Sequence, residues 1–136
     1  MVKISDLAEG PFWKTCGMRL GEGDPPEVLL EAKPGILQYY GTVHGGALMG
    51  MLDAVIAVAL NRELPPEKGA VTVEMKINFF RPVTQGTVSG RGRILNRGRS
   101  LVTGLGEIWN EKGERVAVAL GTYRVIDLKN QSAGDD

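Results

Sequence analysis

Residues 42–60 read TVHGGALMGMLDAVIAVAL, and the fold turns on that stretch. His44 to about Leu60 is the one long helical candidate in the chain. Apolar side chains fall on every face of it, so the pattern predicts a helix wrapped by other structure rather than a one-sided surface helix. Gly45 and Gly46 open it, and Pro65-Pro66 stand beyond its end, where no helix continues. The unbroken apolar run, Ala54 to Leu60, is too short to cross a bilayer.

Downstream, Val71, Val73, Met75, Ile77 and Phe79 alternate with Thr72, Glu74, Lys76 and Asn78, the period of a strand. Pro82 ends it. Thr87–Leu95, Leu101–Trp109 and Val116–Ile126 read as three further strands of an antiparallel meander, separated by Arg97-Gly98 and by residues 110–113. Upstream, the first dozen residues fit a short amphipathic helix capped by Ser5 or Asp6. Trp13 to Ala32 reads as extended chain, folded into a hairpin by the turn at 21–26. Pro34-Gly35 closes that unit, and residues 36–43 show no period. The expected architecture is α+β, one long central helix wrapped by a five- to six-stranded antiparallel sheet. A single domain is expected over 1–136, with 1–11 as an N-terminal segment and 129–136 as a flexible tail. A one-layer sheet leaves edge strands in need of partners, so oligomerisation is expected.

Composition narrows the function classes. Hydrophobic residues make up 43% and charged residues 24% of the 136, which supports a real core and excludes general disorder. Lys+Arg and Asp+Glu are both 16, so the basic excess of a nucleic-acid binder is missing. The opening MVKISD lacks the hydrophobic stretch of a secretory signal, and the lone Cys16 allows no internal disulfide. A cytoplasmic location is expected. His44 and Cys16, 28 residues apart, form no zinc cluster.

Asp53 is the only charged side chain between His44 and Leu60. Burying a carboxylate in an apolar helix costs several kcal/mol unless it is hydrogen-bonded or paired. It is therefore either a general base or nucleophile facing a cleft, or a structural carboxylate bonded to backbone amides or an arginine. His44-Gly45-Gly46 stands where the first backbone N–H groups of the helix lack intrahelical partners. Glycine lets a ligand approach that backbone, and the helix dipole favours developing negative charge there, as in an oxyanion hole. Two glycines serve tight helix–sheet packing equally well. His44 reads either as a catalytic base or as a side chain hydrogen-bonded to a loop carbonyl. Nine residues of helix put His44 and Asp53 on opposite faces, roughly 13 Å apart along the axis, so they form no dyad within one chain. A two-fold dimer with antiparallel helices would bring Gly45 of one subunit near Asp53 of the other.

Residues 42–48 (TVHGGAL), Leu52-Asp53-Ala54 and the strand 71–82 (VTVEMKINFFRP) together resemble the hotdog-fold acyl-CoA thioesterases. The similarity is closest to the phenylacetic-acid-degradation (PaaI-like) and 4-hydroxybenzoyl-CoA thioesterase groups and covers about residues 12–127. The resemblance implies an acyl-CoA thioesterase acting on an aromatic or medium-chain acyl group, without metal or organic cofactor, as a homodimer with shared sites or a dimer of dimers (a homotetramer). It implies that Gly45 N–H polarises the thioester carbonyl and that Asp53 comes from the opposite subunit. Gln38 would position the thioester, Thr72 the water, and His44 would organise the loop. Many PaaI-like members have Asn at the Gln38 position, and the 4-hydroxybenzoyl-CoA group pairs Gln with Glu; this chain combines Gln38 with Asp53. Ala57 stands where some relatives place a threonine, so that hydroxyl is missing.

The resemblance also puts coenzyme A near residues 96–100, where Arg97, Gly98, Arg99 and Ser100 suit phosphate recognition; a solvated hairpin turn accounts for them equally well. Gly46 would lie against the substrate, and Met49, Leu52 and Phe79 would line an acyl pocket or simply fill the core. Two other functions compete. A hotdog hydratase or dehydratase pairs its acid with a nearby histidine, and none follows Asp53. A non-catalytic acyl-CoA binder usually carries a further module, and one domain accounts for this sequence.

Overall fold

The computed structural model describes residues 4–130, so most of the expected tail, residues 131–136, lies outside the described residues. Three helices, α1 (Ile4–Leu7), α2 (Pro11–Cys16) and α3 (Gly45–Asn61), accompany six strands. The strands are β1 (Arg19–Leu20), β2 (Val28–Glu31), β3 (Lys68–Phe79), β4 (Thr87–Arg97), β5 (Leu101–Trp109) and β6 (Arg115–Asp127). They form one antiparallel sheet in the order β1-β2-β4-β5-β6-β3, curled around α3. This is the hotdog fold.

Several local expectations change. Residues 13–16 are helical rather than extended, as part of α2: Pro11 supplies a first-turn residue with preset φ, and Gly17 ends the helix at φ 79°, the left-handed cap that glycine adopts without penalty. The N-terminal helix stops at Leu7, with Ser5 and Asp6 inside its first turn instead of capping it. Lys129 belongs to a 3₁₀ turn over Leu128–Asn130. Strands β4–β6 do form a meander, but β3 pairs with β6 at the far edge. The chain leaves β3 through Phe80 and Arg81, whose N–H groups bond Val116 O, and buries Val83 on its way to β4.

Helix α3 lies very close to the sheet, and glycine is what allows it. A Cβ at Gly92 would come within 2.6 Å of the Val55 carbonyl oxygen, and one at Gly104 within 2.5 Å of Ile56 Cγ2. Gly90 and Gly106, also on β4 and β5, present the same bare backbone to Val55 and Ile56. The buried side chains Met51, Leu52, Val55 and Ile56 then fill the concave face of the sheet with Val28, Val88, Val102 and Ile108. Leu52 is core, not pocket lining. Around α3, however, the wrapping is incomplete: Gly46 and Met49 are exposed, and Asp53 and Ala57 only half-buried.

A β-bulge in β3 decides which residues face the helix. Thr72 pairs with Tyr123 and Glu74 with Thr122, leaving Val73 unpaired between them. The extra residue reverses the alternation. Met75 and Ile77 therefore pack on the core while Val71 and Val73 are exposed, so the five apolar residues do not share one buried face. Thr72 is turned towards α3.

The close approach is testable. Gly92→Ala should destabilise the protein by about 1–3 kcal/mol, because the added carbon meets backbone rather than a movable side-chain end. Gly35→Ala, whose Cβ meets nothing within 4 Å, should change stability by less than about 0.5 kcal/mol. Urea denaturation of the two variants checks this, and equal midpoints would contradict the packing described.

Candidate active site

The N-terminus of α3 is organised by His44. As N-cap residue it has extended backbone (ψ 135°), and its Nδ1 accepts the Gly46 N–H at 2.7 Å. Its own N–H is donated to Ile36 O, which fixes the loop on the helix. Gly46 is needed for this contact, since a Cβ there would stand 2.9 Å from Nδ1. The Ala47 and Leu48 N–H groups bond His44 O. Among the described residues, Gly45 N–H has no partner.

Gly45 lines a cavity of about 320 Å³ with Gln38, Leu48, Phe79, Phe80 and Arg81 among its walls. One donor of the Gln38 amide is given to Thr42 Oγ1 at 2.5 Å, and its Oε1 accepts the Tyr40 N–H. The second N–H of that amide remains for a ligand. Phe79 is 46% exposed and its ring tip lies 3.7 Å from where a Gly45 Cβ would be. Met49 is exposed and is not among the walls of this cavity.

Asp53 faces a different environment. Its Oδ1 accepts the Thr72 hydroxyl at 2.7 Å and the Tyr123 hydroxyl at 2.8 Å, so neither backbone amides nor an arginine satisfy it. Its Oδ2 has no partner among the described residues. Asp53 is absent from the walls of the Gly45 cavity, as the helix geometry requires. Tyr123 was not evident as a site residue in the sequence. The available signal is a tyrosine on the inward face of β6, where a buried hydroxyl needs a partner. It is 2% exposed, and burial, reinforced by the negative charge of Asp53, pushes its phenol well above the ordinary tyrosine value.

The hairpin 97–100 stands apart from both. Arg97 donates to Glu63 O at 3.2 Å and pairs with the Glu63 carboxylate at 3.8 Å, tying the hairpin to the end of α3. Gly98 N–H bonds Leu101 O at 2.8 Å and closes the turn. Arg99 and Ser100 are exposed, and none of the four lines the Gly45 cavity. Among the described residues, no group of three or more His, Cys, Asp and Glu could hold a metal ion. No helix there is long and apolar enough to cross a membrane.

Comparison with known proteins agrees with this fold. The model of the Thioesterase superfamily matches residues 40–117, more than half of the chain, and the protein belongs to that superfamily. A Mycobacterium tuberculosis protein provisionally named an esterase is 32% identical over 124 residues, covering 88% of this chain and 87% of the relative. A Haemophilus influenzae thioesterase shares the fold with a TM-score of 0.85 at 22% identity, over 94% of this chain and 93% of that one. A Bacillus halodurans protein crystallised with CoA aligns with a TM-score of 0.74 at 28% identity, over 82% of this chain and 72% of that one. The match spans 59% and 65% of the lengths of two curated Saccharolobus solfataricus relatives.

The raised Tyr123 phenol has a stability consequence. In the unfolded chain it loses its proton near pH 10, whereas the native chain retains it. Native protein then binds more protons, so the contribution is intact below pH 10 and is lost as the pH rises above it. Chemical denaturation at a series of alkaline pH values should show a slope of up to about 1.4 kcal/mol per pH unit from this group, and Tyr123→Phe should remove that component.

Proposed function

We propose that this protein hydrolyses an acyl-CoA thioester to the free acid and CoA in sites shared between two subunits. The observation that carries the reading is an unpartnered Gly45 N–H beside the Gln38 amide in a cavity, together with a carboxylate eight residues on whose Oδ2 is free. Superfamily membership supports hydrolysis of a thioester, and the neighbour crystallised with CoA supports CoA as the thiol.

Sharing follows from what one chain lacks. Asp53 does not reach the Gly45 cavity of its own subunit, while β3 offers an unpaired edge of 12 residues with exposed Val71 and Val73. An edge of that length is a template for a second strand. Two-fold pairing there would also cover the exposed Gly46–Met49–Asp53 stripe of α3 and carry Asp53 to the partner's cavity. We read the homotetramer as a pairing of such dimers.

The chemistry then divides between donors and base. Gly45 N–H, at the positive end of α3, and the free Gln38 N–H hold the thioester oxygen as it gains negative charge. Asp53 Oδ2 supplies the electron pair, by deprotonating water or by adding to the carbonyl itself. When Asp53 deprotonates water, the hydroxide adds to the carbonyl, collapse of the tetrahedral species breaks the C–S bond, and the CoA thiolate takes up the proton held by Asp53. When Asp53 itself adds, the same collapse expels the thiolate and leaves an acyl–Asp53 anhydride, which water hydrolyses to the free acid and regenerated Asp53, its protons going to the thiolate and the acid. His44 acts on the loop through Gly46. Phe79, Phe80 and Leu48 provide an apolar wall suited to an aromatic or medium-length acyl group. Arg99 and Ser100 are the residues of the 97–100 hairpin left to meet the nucleotide phosphates, Arg97 and Gly98 being engaged in holding the turn.

Free-thiol release from phenylacetyl, hydroxybenzoyl, short-chain and long-chain acyl-CoAs tests the reading. Asp53→Asn should lower turnover by at least about 100-fold with the oligomer intact. Gly45→Pro removes the N–H at a position where proline is tolerated, after a residue already extended, and should cost about 10²–10³-fold. Gly45→Ala keeps the N–H and should retain most activity. Undiminished hydrolysis by Asp53→Asn would refute the proposal.

A further inference from the structure

Resting on the role of Asp53 just proposed, we infer that Tyr123 is a positioning residue for that carboxylate: with Thr72 it fixes Oδ1 and leaves Oδ2 as the reacting oxygen. Thr72 and Tyr123 are direct cross-strand partners on β3 and β6. The bulge at Val73 turns Thr72 inward, so both hydroxyls aim at the same face of the sheet. They converge on one atom, at 2.7 and 2.8 Å.

A buried tyrosine needs an acceptor, but a structural role would be met by any carbonyl. The Tyr123 hydroxyl lies 3.5 Å from Asp53 O and much nearer to Oδ1. Two donors on one carboxylate oxygen fix rotation about the terminal bond, which a free aspartate does not resist. The partnering is also one-sided. Among the described residues, Oδ1 accepts both bonds and Oδ2 none. Because burial keeps the phenol protonated, Tyr123 donates throughout the neutral range, and its proton is not spent in turnover.

The test is a double-mutant cycle on the intact oligomer, read as steady-state hydrolysis of the best acyl-CoA from the panel. Tyr123→Phe should lower kcat about 10-fold, the order expected for one hydrogen bond to a charged group, with KM within about 2-fold. In an Asp53→Asn background the same change should alter kcat by less than about 2-fold, because the group it acts through is gone. Thr72→Ala should behave in the same way and Thr72→Ser should restore the rate; this pair carries the test if Tyr123→Phe fails to assemble. A merely structural Tyr123 would give the same loss in both backgrounds, and that additivity overturns the inference. Full activity of folded Tyr123→Phe alongside an inactive Asp53→Asn overturns it while leaving the base in place. Full activity of Asp53→Asn overturns both.

Discussion

The separation between α3 and the sheet is the constraint on which the rest of the structure depends. A central helix can lie this close only where the facing strands carry no side chain. Gly92 and Gly104 meet the backbone and side chain of Val55 and Ile56 at distances that no Cβ could share. The same separation sets the reach of Asp53. Its bonds to Thr72 and Tyr123 span 2.7 and 2.8 Å, and a helix standing off by the width of a methyl group would break both. Core packing and carboxylate geometry are thus one requirement.

Each chain presents two unfinished parts. At the N-terminus of α3 an N–H group with no partner among the described residues opens onto a cavity walled mostly by apolar side chains. Midway along the helix, a carboxylate is held on one oxygen and open on the other. In the proposed function, two-fold pairing along β3 would supply each part with the other, making assembly and active-site formation the same event.

The central helix, its glycine-rich start and Asp53 were legible because each breaks a local pattern: an apolar run on every face, two glycines at its start, one charge within it; the capping role of His44, through Nδ1 and the Gly46 N–H, was not. The strands β3–β6 were legible from alternation and turn residues; β5 keeps the expected bounds, while β3, β4 and β6 each run further than expected. Other features were hidden for physical reasons. The bulge at Val73 leaves alternation in the sequence undisturbed while reversing it in space, so Val71 and Val73 looked buried. Residues 13–16 looked extended because Trp13 and Thr15 favour strands, yet Pro11 and Gly17 delimit a helical turn. Tyr123 lay unnoticed in an aliphatic strand, since its meaning depends on Asp53, 70 residues away. The strand glycines Gly90, Gly92, Gly104 and Gly106 name no neighbour in the sequence, and only the close approach to α3 accounts for them. Arg97 resembled a phosphate ligand, and only its bond to Glu63 O reveals a clamp.

Hybrid dimers test the shared site most directly. Gly45→Pro and Asp53→Asn chains carrying different affinity tags can be co-expressed and the mixed dimer isolated through both tags. If each site joins Gly45 of one subunit to Asp53 of the other, the hybrid contains one site with both defects and one wholly wild-type site. It should then recover about half of the wild-type activity per dimer, although each parent dimer is nearly inactive. A hybrid as inactive as its parents would mean that both residues act within a single chain, contradicting the account.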